Sequence, residues 1–235
     1  MITAADADRF DLLTFDCYGT LIDWEKGIAD ALRAVCHNHG VVEEDEVLLA
    51  HFGAVEHTIQ GGPFKSYREV LSQTLKGVGL RLGFEATDEE CRAFAESVGR
   101  WPPFPDTVAA LGRLAARYKL AIVSNVDDDL FSGSAEQLEI PFDWIVTAQQ
   151  VGSYKPAAGH FHEIVKRSGI QKGRILHIAQ SVFHDVAPAS ALGFTTLWVN
   201  RRAGKGAPGA TPPADARPDA EVPDMKSAAD LLLES

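Results

Sequence analysis

The sequence predicts an α/β fold, an open and mostly parallel sheet covered by helices on both faces and interrupted by a helical insertion. Two observations carry the prediction. Strand-length apolar runs recur at Leu12 to Phe15, Leu120 to Ser124, Ile175 to Ala179 and Thr195 to Val199, and the last three are separated by helix-length segments; such alternation is what a parallel sheet with helical crossovers requires. Between Trp24 and Gly99 the apolar spacing instead becomes helical, with no convincing strand. We therefore expect a core of residues 1-23 and 100-235 and an insertion of 24-99.

The first run closes on Asp16 and then Gly19, as a buried strand ending in a tight turn would. In the insertion, Ile28, Ala31, Leu32 and Val35 share one helical face, Val47, Leu48, His51 and Val55 a second, and Val70, Leu71 and Leu75 a third. Thr87 with Glu90 three residues on predicts a capping box for a fourth helix. After Trp101-Pro102-Pro103 the strands return. Ala203 to Pro223, rich in Ala, Pro and Gly, reads as a surface loop before a short last strand and a helix from Lys226 to Glu234.

Composition narrows the function. The 235 residues are 46% apolar and 23% charged, as a globular chain is, and 22 basic against 33 acidic residues leave a net charge of -11. Nucleic acid and anionic membrane are thus not expected partners, whereas a small anionic substrate needs only a few local donors. Met1 to Arg9 lacks a basic start followed by an apolar run, no stretch reaches the roughly 18 apolar residues of a spanning helix, and Cys17, Cys36 and Cys91 are odd in number and scattered. A cytoplasmic protein with reduced thiols is expected.

Ligands of open parallel sheets gather at the carboxyl ends of the strands. Four polar groups stand there: Asp16, Ser124 with Asn125, Lys155 with Pro156, and Asp185 within Ala179-Gln180-Ser181-Val182-Phe183-His184-Asp185. Each alone has a plain reading as a cap, a turn or a solvated lysine; their ordered recurrence points to a site. A carboxylate is a weak nucleophile that needs placement, a cation and donors for developing charge. Asp16 is the candidate nucleophile and Lys155 the cation. Thr20, Ser124 and backbone N–H groups after Gly19 are the candidate donors, and Asp185 the group that holds or activates water. Asp127-Asp128-Asp129 reads as a helix N-terminus stabilised by acidic residues rather than a metal cluster.

Phe15-Asp16-Cys17-Tyr18-Gly19-Thr20-Leu21 resembles the first motif of the haloacid dehalogenase superfamily, and Ser124, Lys155 and Asp185 fall where its second to fourth motifs belong. The resemblance implies a Rossmann-like three-layer core with an inserted helical cap, and chemistry by an aspartate nucleophile. By similarity to the family, Asp185 pairs with Lys155.

Two positions bear on the reaction. Phosphatases of the superfamily carry a second Asp two residues after the nucleophile to protonate the leaving alkoxide, and here Tyr18 stands instead, whose ordinary pKa near 10 suits that task poorly. Their fourth motif commonly begins Gly-Asp, and here it is Ala179-Gln180. No cofactor is expected; the alternative, a phosphatase of small phosphate esters, would place Mg²⁺ on Asp16, the Tyr18 carbonyl and Asp185. The Asp-x-Tyr-Gly-Thr form resembles type II (S)-2-haloacid dehalogenases, which implies attack on carbon 2, loss of halide and hydrolysis of an aspartyl ester to a 2-hydroxy acid.

That resemblance makes Asn125 a halide-binding candidate and Arg68 the insertion arginine that would lie over the halide. Trp24, Cys17, Tyr18, Ser181 and His184 complete the substrate-contacting candidates. The dehalogenases compared carry Tyr six residues after the motif Lys and Asn three before the motif Asp, where this chain has Phe161 and Val182. A non-catalytic binding member of the superfamily is a third reading, against which intact Asp16, Lys155 and Asp185 speak. A homodimer through the insertion is compatible with all three.

Overall fold

The structure is a computed structural model that describes residues 4–204 and 210–234. Six strands form one parallel sheet: β1 (Leu12–Phe15), β2 (Lys119–Ser124), β3 (Trp144–Thr147), β4 (Ile175–Ala179), β5 (Thr195–Val199) and β6 (Ala220–Val222), in the order β3-β2-β1-β4-β5-β6. The order reverses at β1, so the crevice between β1 and its neighbours opens at their carboxyl ends.

Alternation along the strands makes the three layers. Leu13 and Phe15 join one core with Leu120, Ile122, Leu176 and Ile178, under α5 (Thr107–Ala115) and α10 (Met225–Leu233). Leu12, Ala121, Val123 and Ile175 face the other way, onto Phe161 and Ile164 of α8 (Gly159–Ser168) and Ala189 of α9 (Ala187–Ala191). Apart from Lys119 at its start, β2 is buried throughout, as are β1 and β4, which is why these strands read as continuous apolar runs. Strand β3, at the sheet edge, is four residues long and half-buried; its run Trp144-Ile145-Val146 is a strand not among those expected from the sequence.

From Trp24 to Arg100 the chain is helical: α1 (Trp24–Asn38), α2 (Asp45–Gln60), α3 (Tyr67–Leu82) and α4 (Asp88–Glu96), then a short 3-10 turn. The capping box is present, with the Thr87 side chain accepting from Glu90 N–H and Glu90 from Thr87 N–H. Helix α2 lies differently from its expected face. It buries Leu48, Leu49, Phe52 and Glu56 while Val47 is exposed, because Phe52 is a larger anchor than either neighbour. Among the described residues, no helix is long and apolar enough to cross a membrane.

Two of the contacts between the insertion and the core stand out. The Asp127 carboxylate accepts the N–H groups of Tyr67 and Arg68, at 2.8 and 2.9 Å, so a core residue caps α3. The acidic run stands at the N-terminus of α6 (Asp128–Leu138) as expected, with Asp128 and Asp129 in its first turn, while the Asp127 side chain serves α3 instead. Near the chain crossing, Trp101 packs against Gly27 of α1 and donates its indole N–H to Ser97 Oγ at 3.0 Å. A Cβ at Gly27 would stand 2.2 Å from the ring.

Gly27→Ala should therefore destabilise the protein by about 1–3 kcal/mol through overpacking, read from the denaturant midpoint at unchanged slope. An unchanged midpoint would show that the ring is free to move away.

Candidate active site

The rim of the sheet gathers the expected residues. Asp16 follows β1, Ser124 ends β2, Lys155 follows β3 by way of the short helix α7 (Ala148–Val151), and Ser181 to Asp185 follow β4 in a π-helical turn, Val182–Val186. The Lys155 ammonium is 1% exposed and donates to Asp16 Oδ1 at 2.9 Å, Asp185 Oδ1 at 2.6 Å and the Val123 carbonyl at 2.8 Å. An ammonium has three protons, so all are engaged.

The second oxygen of Asp16 accepts from the Thr20 hydroxyl at 2.8 Å, and that hydroxyl accepts the Gln180 N–H at 2.9 Å. The backbone donor leaves Thr20 only one direction for its own proton, toward Asp16. Both oxygens of Asp16 are therefore acceptors, the arrangement of an ionised carboxylate. Burial pushes the Asp16 carboxyl up, and the neighbouring Lys155 and the Thr20 hydroxyl act against that rise. Burial would also raise Asp185, but the Lys155 ammonium and the His177 ring outweigh it and hold it down at about 2. Lys155 is held charged, since its two carboxylates overcome the desolvation that would lower it.

Behind this triad stands a layer that the sequence did not reveal. His177 of β4 donates from Nε2 to Asp185 Oδ1 at 2.9 Å, and its Nδ1 meets Thr14 Oγ1 of β1 at 2.9 Å. These strand residues are register partners, so the pairing of β1 with β4 places both side chains on the same face. Phe161, where the compared dehalogenases carry Tyr, packs its ring edge-on against His177. A polar residue inside an apolar strand run, as Thr14 and His177 both are, was the available signal.

A cavity lies over Asp16, lined by Tyr18, Trp24, Ser124, Asn125, Gln180 and His184 among others. Ser124 Oγ is fully buried without a partner, as is Asp185 Oδ2. Among the described residues, the Cys17 and Tyr18 N–H groups donate to no protein acceptor, whereas those of Gly19, Thr20, Leu21 and Ile22 are all engaged within the turn. The donors available to a ligand thus precede Gly19 instead of following it. Gly19 itself takes φ +93°, which only glycine adopts readily.

Several expected contacts are placed otherwise. Arg68 does not lie over the cavity; its guanidinium reaches outward to Asp129 at 2.6 Å and Glu96 at 3.6 Å, because it follows Tyr67 on α3 and adjacent helical residues face different ways. The Cys17 side chain is sealed in the core rather than exposed to substrate. Asn125 lines the cavity but fixes Lys155, accepting its N–H at 2.7 Å and donating to its carbonyl at 3.1 Å. Thr20 orients Asp16 and has no proton left for a ligand. Tyr18 presents its ring while its hydroxyl is 3.0 Å from Ser134 Oγ, and burial raises its pKa well above the usual phenol value. Ser181 Oγ accepts the His184 N–H, and burial holds the His184 imidazole at about 4.

The insertion adds Glu56, Gln60 and Tyr67 to the cavity lining, and the loop before β6 adds Thr211. None was expected from the sequence. A Mg²⁺ here would share three of the four carboxylate oxygens of Asp16 and Asp185 with an ammonium, a hydroxyl and an imidazole, a poorer donor set than the several oxygens a small hard cation takes.

The family model for haloacid dehalogenase-like hydrolases matches residues 10–193. An (S)-2-haloacid dehalogenase of Pseudomonas fluorescens is 26% identical over 227 residues, 94% of this chain and 96% of that protein. A mouse haloacid dehalogenase-like hydrolase domain-containing protein 3 is 25% identical over 206 residues, 80% of this chain and 81% of that protein. Among solved structures, the L-2-haloacid dehalogenase of Xanthobacter autotrophicus superposes with a TM-score of 0.81 at 21% identity, covering 95% of this chain and 98% of that one.

Lys155→Met should lower stability near pH 7 by about 3–5 kcal/mol, since it leaves two buried carboxylates without their cation. Asp185 is depressed in the folded state, so its contribution is present above the ordinary value of 3.8 and lost as pH falls toward about 2. The stability gap between variant and parent should narrow over that window. A gap that is constant with pH would contradict an ionised pair.

Proposed function

Because the chain belongs to the haloacid dehalogenase-like hydrolases, we propose that it hydrolyses the carbon–halogen bond of a short 2-haloacid through an ester of Asp16. The observation that carries this reading is at Tyr18. The residue two positions after the nucleophile turns its hydroxyl into the core, toward Ser134, and so offers no proton to a departing oxygen. Halide leaves without one. The dehalogenases among the relatives at 26% identity support the same substrate class.

In this reading the substrate carboxylate takes the Ser124 hydroxyl and the N–H groups of Cys17 and Tyr18. That places carbon 2 before Asp16, whose lone pair forms the new carbon–oxygen bond as halide departs with the bonding electrons. Lys155 keeps the nucleophile anionic and in position. Water held by the unpartnered Oδ2 of Asp185 then attacks the ester carbonyl; one of its protons passes to the departing alkoxide oxygen of the product and the other to solvent. The low pKa of Asp185 suits a water-holder better than a strong base. Cleavage releases a 2-hydroxy acid and restores Asp16. The helical insertion acts as the cap that shuts bulk water out.

Halide release from (S)-2-chloropropionate should persist in excess chelator and yield the inverted hydroxy acid, while Asp16→Asn should lower kcat by at least about 10³-fold. Phosphate ester hydrolysis that requires Mg²⁺, with no halide released, would overturn the proposal in favour of a phosphatase.

A further inference from the structure

Helix α2 turns Leu48, Phe52, Glu56 and Gln60, spaced four residues apart, toward the interior, and the last two reach the cavity above Asp16. Glu56 is 6% exposed, and its Oε1 accepts from the Tyr67 hydroxyl at 2.9 Å. Among the described residues, no Lys, Arg or His pairs with it. Among the described residues, Lys155 is the only Lys or Arg lining this cavity, and its protons are all engaged. The insertion therefore closes over the nucleophile with an acid where an anionic substrate would call for a cation.

We propose that Glu56 is the specificity-determining group of the cap, a neutral carboxyl that donates a hydrogen bond to the halogen-bearing end of the substrate in place of a cationic side chain. The inference rests on the haloacid reading for the identity of that substrate. Tyr67 donates to one carboxyl oxygen and so leaves the other, with its proton, for the ligand. Asp127 holds Tyr67 in place by capping α3, which ties the donor's orientation to the core. Burial raises the Glu56 carboxyl to about 7, against the opposing hydrogen bond from Tyr67, so the neutral form dominates below neutrality. Above it, an anion at Glu56 would face both Asp16 and the substrate and repel the latter.

The other titratable groups around the cavity are Tyr18 and Tyr67, raised by burial as is Tyr154 of the adjoining hollow, the Asp16, Lys155 and Asp185 triad, and His184, which burial holds at about 4. His57, next in the chain, opens on the adjoining hollow with Phe183 and Phe64.

The test is calorimetric binding of (S)-2-chloropropionate to Asp16→Asn, which cannot turn over and in which residue 16 no longer titrates. We expect binding about 30-fold weaker at pH 8.5 than at pH 5.5, the ratio of neutral fractions for a group near 7. Adding Glu56→Gln, which keeps a donor but cannot ionise, should reduce that change to less than about 3-fold, and adding His57→Gln instead should leave it in place. The same pH dependence with and without Glu56→Gln, or no binding in either, overturns the proposal. If Glu56→Gln does not fold, the infrared band of a protonated carboxyl in Asp16→Asn should vanish across neutrality, and its absence throughout counts against the proposal. Halide release by the parent without a Glu56-dependent pH effect defeats this inference alone; a Glu56-dependent effect on binding without halide release defeats the haloacid reading alone.

Discussion

A single buried ammonium organises this molecule. Lys155 comes from the loop after β3, yet its three protons go to the residue after β1, the carbonyl of Val123 in β2 and the turn after β4. A cation out of water is costly unless every donor is satisfied and opposite charge lies close. Here both conditions hold, and the requirement forces three separate strand ends into one geometry. The two carboxylates are not equivalent as a result. Asp185, backed by His177, is held down as an anion, while Asp16, with a donor on each oxygen, lines the cavity.

Support for the triad extends through the sheet itself. The parallel register of β1 and β4 sets Thr14 beside His177, and Phe161 from α8 presses on the ring. On the other side, Asn125 clamps the backbone of Lys155 through both of its amide atoms. Residues read as ligands from the motif thus turn out to position the groups beneath them. A chemical site placed on rigid elements gains its precision from such neighbours.

How much of this was legible in the sequence follows from the same physics. The strands β1, β2 and β4 matched their apolar runs, to within one residue at the start of β2, because a strand buried on both faces must be apolar along its length. The triad was legible because carboxylate and lysine side chains at strand ends have few other reasons to recur in that order. What escaped was the cap side of the site. The expected face of α2, Val47, Leu48, His51 and Val55, shares only Leu48 with the buried one that Phe52 anchors, and that rotation hid Glu56 and Gln60. Arg68 was chosen for its charge, but on α3 the inward position belongs to Tyr67, and the arginine reaches Asp129 instead. Helical spacing shows that a face exists more readily than which neighbour it meets.

The account stands on the Asp16 oxygen as the atom that bonds to substrate, and isotope placement tests this most directly. With enzyme in excess over (S)-2-chloropropionate in ¹⁸O water, mass spectrometry of the peptide bearing Asp16 should show one heavy oxygen gained, with the hydroxy acid unlabelled, because solvent attacks the ester carbonyl and the protein's own oxygen leaves with the product. Label found wholly in the hydroxy acid, with Asp16 unchanged, would mean that water attacks carbon 2 directly and that the carboxylate is no nucleophile.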